Sequence, residues 1–142
     1  MRSKFGLILK DEGDNALINN FLELLYTQKK DYHRSMRMLL NQNENLLGDN
    51  FKSWLKDYKK RINKEENLTQ SLNLMKQFNP KYILRNYLAE VAIREAEDLK
   101  KYEEIDVLFR LLKKPFDSHN GYDSYDSEPP DWAKNLELSC SS

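Results

Sequence analysis

Apolar residues recur along this chain at intervals of three and four, the spacing that places them along one side of an α-helix. Weaker runs of this kind predict helices over residues 14–29, 31–40 and 68–78. No segment alternates apolar and polar residues convincingly enough to predict a strand. The pattern is most regular in the middle of the chain, where a third helix is predicted from Phe51, Trp54, Leu55, Tyr58 and Ile62.

Polar residues mark where these helices begin and end. Asp14 and Asp31 precede apolar runs and are predicted to accept hydrogen bonds from the exposed amides of a first helical turn. The polar string 41–45 ends the second helix, and Gly48 precedes the third. Pro80 ends the fourth helix, because the residue before a proline is disfavoured in the α region.

The stretch 79–99 is predicted to be the central core helix, around which the rest of the chain packs. Asn79 is its expected cap and Pro80 its first residue, and no Gly or Pro follows within the stretch. About half of its circumference is apolar, which is more than one helix–helix contact needs. The residues on this arc are Ile83, Leu84, Tyr87, Leu88, Val91 and Leu99.

A sixth helix is predicted over residues 101–114, with an inward face made of Ile105, Leu108, Phe109, Leu111 and Leu112. Residues 115–131 differ, because they hold three of the four prolines, five acidic residues and no Lys or Arg. They are interpreted as an extended acidic arm whose far end docks through Trp132, Leu136 and Leu138. The predicted fold is all-α, with one domain of about six helices over 1–114 and an arm and tail over 115–142.

Composition and charge restrict the function classes. The 142 residues carry 23 Lys and Arg against 23 Asp and Glu, so no net field attracts nucleic acid or an anionic membrane. No apolar run approaches the roughly 20 residues of a membrane span, and the N-terminus lacks a cleavage signature. One cysteine excludes an internal disulfide and, with two histidines, disfavours structural zinc. We therefore expect an intracellular protein without nucleic-acid or membrane partners.

Two groups of side chains that suit binding chemistry have simpler structural explanations. His33 and His119 lack metal-ligand spacing, and both are expected to be exposed to solvent. A basic group would suit a phosphate, but acidic neighbours and the zero net charge favour a solvated helix face. This basic group consists of Lys56, Lys59, Lys60, Arg61 and Lys64.

Three segments of the chain together resemble the C-terminal part of a known family. The string NPKYILRNYLAEVAIREAE, beginning at Asn79, resembles a signature near the C-terminus of the selenoprotein O family (SelO, called YdiU in bacteria). Downstream, KKPFDSHNGYDSYDSEPPDWAKNLELSCSS is similar to that family's tail, including its Pro-Pro-x-Trp and final Cys-Ser-Ser. Upstream, MRSKFGL and DEGDNALINNFLELL resemble two further family segments, with Phe5 where the family more often has Leu. Residues 41–78 match only loosely.

The resemblance implies a kinase-like protein adenylyltransferase, which transfers AMP from ATP to protein hydroxyls and uses magnesium or manganese. The family's ATP-binding, metal-binding and base residues precede the segment resembled here, so no catalytic, cofactor-binding or metal residue is assigned. The four glycines are isolated, and no Gly-rich phosphate loop appears. We predict that this chain alone binds no ATP and catalyses nothing, whereas the intact family protein does.

Cys140 is the one residue to which the resemblance gives a candidate role. It stands where many family members carry selenocysteine or cysteine, which implies a redox thiol that pairs with a cysteine elsewhere in a full-length chain. Apart from the resemblance, an ordinary terminal cysteine, mostly protonated at neutral pH, accounts for it equally well. The resemblance also implies a cytoplasmic location in a bacterium and a mitochondrial one in a eukaryote.

Two functions remain open. The chain is either the helical part that supports a SelO-like kinase-like lobe, or an autonomous helical adaptor that binds a partner through an apolar groove or its acidic arm. In the first case Met1 is an internal position, and the partners are the missing N-terminal part and the enzyme's protein substrates. Such a piece should expose an apolar patch where its partner sat. The expected contributors are Phe5, Leu7, Ile8 and Leu9.

Overall fold

A computed structural model describes residues 1–133 of the chain. Its α-helices are α1 (Asp14–Thr27), α2 (Tyr32–Leu40), α3 (Lys52–Ile62), α4 (Leu68–Phe78), α5 (Asn86–Leu99) and α6 (Glu103–Lys113). Short 3-10 turns accompany them at Arg2–Phe5, Glu44–Leu47, Asp49–Phe51, Asp123–Asp126 and Asp131–Ala133. No strand occurs within residues 1–133, so the predicted all-α class is confirmed.

The chain divides into two compact units, Met1–Pro80 and a second that begins at Lys81. The first contains α1 to α4, and the second contains α5, α6 and the described residues that follow them. Residues 115–133 therefore share a unit with α5 and α6. The separation of an arm from a helical domain at residue 114 stays a prediction.

An aromatic cluster forms the centre of the first unit. The rings of Phe5 and Phe21 meet edge to face with centroids 5.4 Å apart, and Trp54 lies 4.4 Å from Phe21. Tyr58 stacks on Trp54 at 5.1 Å. The predicted inward face of α3 is confirmed, because Phe51, Trp54, Leu55, Tyr58 and Ile62 are all buried. Aromatic pairs of this geometry add to the stabilisation from burial alone.

The N-terminal segment is part of this core rather than an open patch. Phe5 and Leu7 are buried, whereas Ile8 and Leu9 remain about half exposed. The expectation that all four face a missing partner is therefore wrong for Phe5 and Leu7. Gly6 makes their placement feasible: its φ is 71°, and an added Cβ would lie 3.0 Å from the Ser71 carbonyl oxygen.

Of the two predicted acidic caps, one is confirmed and one is wrong. The Asp31 carboxylate accepts a hydrogen bond from the Arg34 amide at 2.8 Å and begins α2. Asp14 lies inside the first turn of α1, behind a Gly13 cap, and makes no capping hydrogen bond. Its carboxylate is instead buried and paired with arginines. Helix-capping rules describe local amides and give no weight to such distant partners.

The predicted start of the central helix at Pro80 is also wrong, since α5 begins at Asn86. The amides of Lys81 and Tyr82 donate to the Pro115 carbonyl oxygen at 2.7 and 3.0 Å, which keeps this stretch out of the helix. Asn79 ends α4 rather than capping α5. Its Nδ2 donates to the carbonyl oxygens of Met75 and Lys4.

The helix α5 is not the centre of the chain's main core. It contributes to a separate small cluster in the second unit, made of Tyr87, Leu88, Ala92 and Leu108. Leu84 and Leu99, which were predicted on its inward arc, are more than half exposed. In α6, Leu108 and Leu111 are buried as predicted, but Ile105 and Phe109 are exposed. Apolar spacing indicated the helices correctly and overestimated how much of each is covered.

The described part of the predicted arm packs within the second unit. Tyr125 and Ala133 lie against the small cluster, and the Trp132 ring meets Tyr87 edge to face at 6.3 Å. Trp132 is 56% exposed, and docking of the far end of the arm stays a prediction. Leu136 and Leu138 lie outside the described residues.

Candidate functional site

A buried charge network joins α1 and α3 in the first unit. The Arg61 Nε donates to Asp14 Oδ1 at 2.6 Å, and its Nη1 donates to Glu65 Oε1 at 2.7 Å. All three side chains are at least nine-tenths buried. Arg2 adds a further ion pair to Asp14 at 2.8 Å. Because these charges are paired and hydrogen-bonded, their burial is tolerated.

The network also holds the N-terminal segment. Glu65 Oε2 accepts hydrogen bonds from the amides of Ile8 and Leu9 at 3.1 and 3.0 Å. The Leu9 carbonyl oxygen accepts from Arg61 Nη2 at 2.7 Å. Each of these polar groups is hydrogen-bonded to another group of the protein. We therefore assign the network a structural role rather than a role in ligand binding. Arg61 is thereby removed from the predicted basic surface, and its i, i+4 spacing to Glu65 was the sequence signal for this pair.

Hydrogen bonds set the ionisation of these carboxylates. Burial opposes the charged form of Asp14, but hydrogen bonds from Arg61, the Asp11 amide and Arg2 outweigh burial and hold its pKa below the ordinary value. The hydrogen bond from Lys59, helped by that residue's charge, likewise lowers the pKa of Glu44. Burial raises the pKa of the Tyr58 hydroxyl, which donates to the Phe5 carbonyl oxygen.

Four lysines lie on one surface of α3. Three of them belong to the predicted basic group, and the fourth, Lys52, precedes it in the sequence. Lys52, Lys56, Lys59 and Lys60 line a shallow depression together with Asn45 and Asn63. Three of them make ion pairs: Lys59 with Glu44 at 2.5 Å, Lys52 with Asp49 at 2.8 Å and Lys60 with Asp57 at 3.8 Å. Lys64 pairs with Asp11 elsewhere. The structure therefore confirms a lysine-rich helix face without Arg61.

An apolar cavity of about 250 Å³ opens beside that surface, between α2, α3 and α4. Its apolar walls are Leu39, Leu55, Ile62, Leu68, Leu72 and Met75. The Lys59–Glu44 pair and Asn63 border both the cavity and the lysine surface. Ser71 also lines the cavity, is fully buried and makes no hydrogen bond through Oγ within the described residues. Sequence periodicity gave no sign of this cavity, because it depends on how three helices diverge.

The second unit carries a group of tyrosines held by polar contacts. The Tyr125 hydroxyl donates to Glu104 Oε2 at 2.9 Å, which ties the segment after α6 to that helix. Lys81 pairs with Asp123 at 2.7 Å. The His119 ring lies 5.6 Å from that of Tyr82 and is only partly exposed. The expectation of a solvent-exposed His119 is therefore wrong, and His33 is also partly covered, beside Tyr32.

The second unit also has partly exposed apolar side chains at α6. Tyr102, just before this helix, and Ile105 and Phe109 on it share one side and are 42 to 60% exposed, with the Lys113 ammonium 4.4 Å from the centre of the Phe109 ring. Their spacing places them beside the buried face that contains Leu108 and Leu111. An exposed row of large apolar residues is typical of a surface that contacts another protein.

The remaining sequence predictions concern metal ligands, membrane spans and Cys140. Within residues 1–133, no three His, Cys, Asp or Glu side chains are grouped as metal ligands would be. Among the same residues, no helix is both long and apolar enough to cross a membrane. Cys140, the redox candidate, lies outside the described residues. No catalytic, cofactor-binding or metal residue was predicted here, and that assignment stays a prediction.

Comparison with known proteins decides the family. Residues 1–114 match the model of the family described as "Protein adenylyltransferase SelO". The chain belongs to the SelO family. The whole chain aligns at 42% identity with a "Protein nucleotidyltransferase YdiU" of Aliivibrio salmonicida, and at 38 and 36% with proteins of the same name from Burkholderia pseudomallei and Paraburkholderia xenovorans. The resemblance first seen in three segments is thereby confirmed.

This SelO-family chain spans only 30 to 31% of the length of those relatives. Those relatives are more than three times as long as this chain. The activity that their names state is therefore not assigned to this chain from similarity alone. The loosely matching residues 41–78 fall inside the family match. The second unit lies partly inside it, because the match ends where α6 ends.

Proposed function

We propose that this chain is a non-catalytic helical part of a SelO-like protein adenylyltransferase, which supports the kinase-like part and carries the redox candidate Cys140. The observation that carries the proposal is coverage: all of the chain aligns with relatives of which it spans about 30%. In the intact protein, AMP would pass from ATP to Ser, Thr or Tyr hydroxyls of protein substrates. ATP and magnesium or manganese would bind outside this chain.

The exposed apolar side of α6 supports the proposed contact with the rest of such a protein. Ile105 and Phe109 are too large and too exposed to be explained by packing inside the second unit. Burying a Phe side chain contributes about 1.5–3 kcal/mol. A partner that covered both residues would therefore gain part of the free energy of a contact, to which further residues would have to contribute. The occupant is proposed to be the kinase-like part.

A reconstitution experiment tests this role. The part of the Aliivibrio salmonicida relative that this chain does not match is co-expressed with the chain, and complex formation is measured by size-exclusion chromatography. We expect a complex that Phe109→Asp weakens strongly, because the substitution places a charge in the apolar contact. Glu97→Lys, at an exposed position of α5, is the control and should leave the complex intact. No complex, or equal loss with both variants, would contradict the supporting role.

Nucleotide binding tests the non-catalytic part of the proposal. Calorimetry of the chain with ATP and magnesium should show no saturable heat, because the sequence lacks a Gly-rich phosphate loop. The reconstituted complex should bind ATP and transfer label from its α-phosphate to protein. Micromolar ATP binding by the chain alone would show that it holds a nucleotide site of its own.

Cys140 is proposed to regulate the intact protein by forming a reversible disulfide with a cysteine of the remaining part. Its thiol and the partner thiol would lose two protons and two electrons to an oxidised thiol compound such as oxidised glutathione. Adenylyl transfer by the complex should then respond to redox conditions, and Cys140→Ser should abolish the response. If the parent and Cys140→Ser respond identically, Cys140 is an ordinary tail residue.

The alternative function is an autonomous helical adaptor, and one observation favours it. The first unit buries Phe5 and Leu7 in its own core instead of presenting them to a partner. An adaptor would be stable and monomeric alone and would not associate with the remaining part of a SelO relative. The same co-expression experiment therefore separates the two functions.

A further inference from the structure

We propose that the apolar cavity and the lysine surface of the first unit together form a docking site for an acidic protein segment that carries one bulky apolar side chain. The inference goes beyond the proposed function and does not depend on it. It rests on the position of the cavity, on its size and on the charges around it.

The cavity and the lysine surface are one continuous feature. Leu55 and Lys59 of α3 line both, as do Asn63, which follows this helix, and Glu44. A ligand that placed an apolar side chain in the cavity would therefore carry its neighbouring residues directly past Lys56, Lys59 and Lys60. The apolar part and the charged part of the site are within reach of one short segment.

The cavity volume favours a single side chain as its occupant. About 250 Å³ is smaller than the roughly 300–1,000 Å³ typical of pockets for cofactors and drug-sized ligands. Its walls are mostly apolar, from Leu39, Leu72 and Met75 among others, and include the ring of Tyr58. Such a cavity suits one Phe, Leu or Met side chain inserted from outside. Anchors of this kind supply much of the affinity in protein–peptide contacts.

The charges around the cavity favour an acidic partner. Four of the eight residues that line the adjoining depression are lysines, against one glutamate, although Asp49 and Asp57 beside it pair with Lys52 and Lys60. Among residues 1–133 Lys56 has no ion-pair partner, and the ammonium of Lys60 is 3.8 Å from the carboxylate of Asp57. Lys59 pairs with Glu44 at the mouth of the cavity, where a carboxylate of the ligand would compete for the same ammonium group. Complementary charge of this kind raises association rate and specificity.

A protein segment fits these features better than RNA does. Single-stranded nucleic acid binds through exposed aromatic rings in addition to positive charge. The aromatic residues of α3, Trp54 and Tyr58, are buried, and although Tyr58 lines the cavity, neither presents an exposed ring on which a base could stack. Phosphates would use the lysines but would leave the apolar cavity empty. A peptide of acidic residues around one Phe uses both.

The test uses a fluorescently labelled peptide in which a single Phe is flanked on both sides by glutamates. Fluorescence anisotropy should show saturable binding to the chain, which weakens as salt is raised because surface charges are screened. Replacing the Phe of the peptide by Ala should weaken binding about tenfold or more. Replacing the glutamates by lysines should abolish it. An oligouridylate that competes as well as the acidic peptide would overturn the proposal.

Variants of the chain locate the site. Leu68→Glu places a carboxylate at the cavity, at the first residue of α4, where an acidic side chain is compatible with the helix. Lys56→Glu reverses one charge of the lysine surface. Each should weaken binding about tenfold, whereas the controls Leu99→Glu and Lys30→Glu, at exposed positions elsewhere, should not. Thermal melts confirm that the variants fold. Unchanged binding with Leu68→Glu, or equal losses in variants and controls, would overturn the proposal.

Discussion

Arg61 and Asp14 are 47 residues apart in sequence, and the guanidinium Nε of one lies 2.6 Å from the carboxylate Oδ1 of the other. Both side chains are more than nine-tenths buried. Through this pair, α3 is joined to the first turn of α1, and Glu65 extends the link to the backbone of Ile8 and Leu9. The first unit thus contains a buried charge network in addition to the aromatic core around Phe21.

Removing Arg61 should destabilise the first unit strongly. Arg61→Met keeps most of the side-chain volume but leaves the carboxylate of Glu65 buried without its cation and that of Asp14 with Arg2 alone. We expect a loss of about 3–5 kcal/mol in the free energy of unfolding, measured by urea denaturation. Lys60→Met, at the exposed neighbouring position, should change it by about 0.5 kcal/mol or less. Similar losses in the two variants would show that the buried pair is not special.

The stability of the first unit should fall in acid because of Asp14. Its pKa in the folded chain is lowered from an ordinary value of about 4. The folded state therefore binds the proton more weakly, so the stabilisation is present above pH 4 and is lost as pH falls below it. Asp14→Asn should flatten this acid limb in urea melts taken from pH 6 to about pH 2. Glu44→Gln, whose partner Lys59 is more exposed, should flatten it less.

Two buried serines should respond differently to replacement by alanine. Ser35 Oγ donates to the Asp31 carbonyl oxygen at 2.7 Å, so Ser35→Ala should cost about 1 kcal/mol. Ser71 Oγ makes no hydrogen bond within the described residues, so Ser71→Ala should be neutral or slightly stabilising. Thermal melts of the matched pair measure the difference. A larger loss at Ser71 than at Ser35 would mean that the Ser71 hydroxyl has a partner in solution.

The Tyr125 hydroxyl should titrate later than an ordinary tyrosine. Burial, then the hydrogen bond and charge of Glu104, raise its pKa to about 12. Because the neutral phenol is favoured in the folded state, its contribution to stability is complete below about pH 10 and is lost towards pH 12. The absorbance titration of Tyr125→Phe, subtracted from that of the parent, should have its midpoint near 12. A midpoint near 10 would mean that the Tyr125–Glu104 contact is absent in solution.

The small cluster of the second unit should depend on Leu88. Leu88→Ala removes buried methyl groups and should cost about 2 kcal/mol, the lower end of the range for such changes, because the cluster around it is small. Arg94→Ala removes an exposed side chain paired with Glu90 and should cost about 0.5 kcal/mol or less. Urea melts of both variants decide this. Equal losses would mean that the buried face of α5 is wrongly placed.

The sequence by itself determined the helices and the family. Periodicity located α3 and the end of α4 closely, since helix formation and the effect of Pro80 are local. The inward face of α3 was also predictable, because its five large apolar residues leave no other face to bury. Family membership depended on short strings such as that beginning at Asn79, which are linear and need no tertiary information.

Only the tertiary structure decided which apolar faces are covered and which charges are buried. The start of α5 depends on the Pro115 carbonyl oxygen, and the exposure of Phe109 depends on what packs beside α6. The sequence predicts Asp14 as a helix cap and Arg61 as a surface cation. In the fold, Arg61 Nε lies 2.6 Å from Asp14 Oδ1. In each case burial and ion pairing depend on residues that are distant in sequence. Local sequence patterns therefore do not predict them.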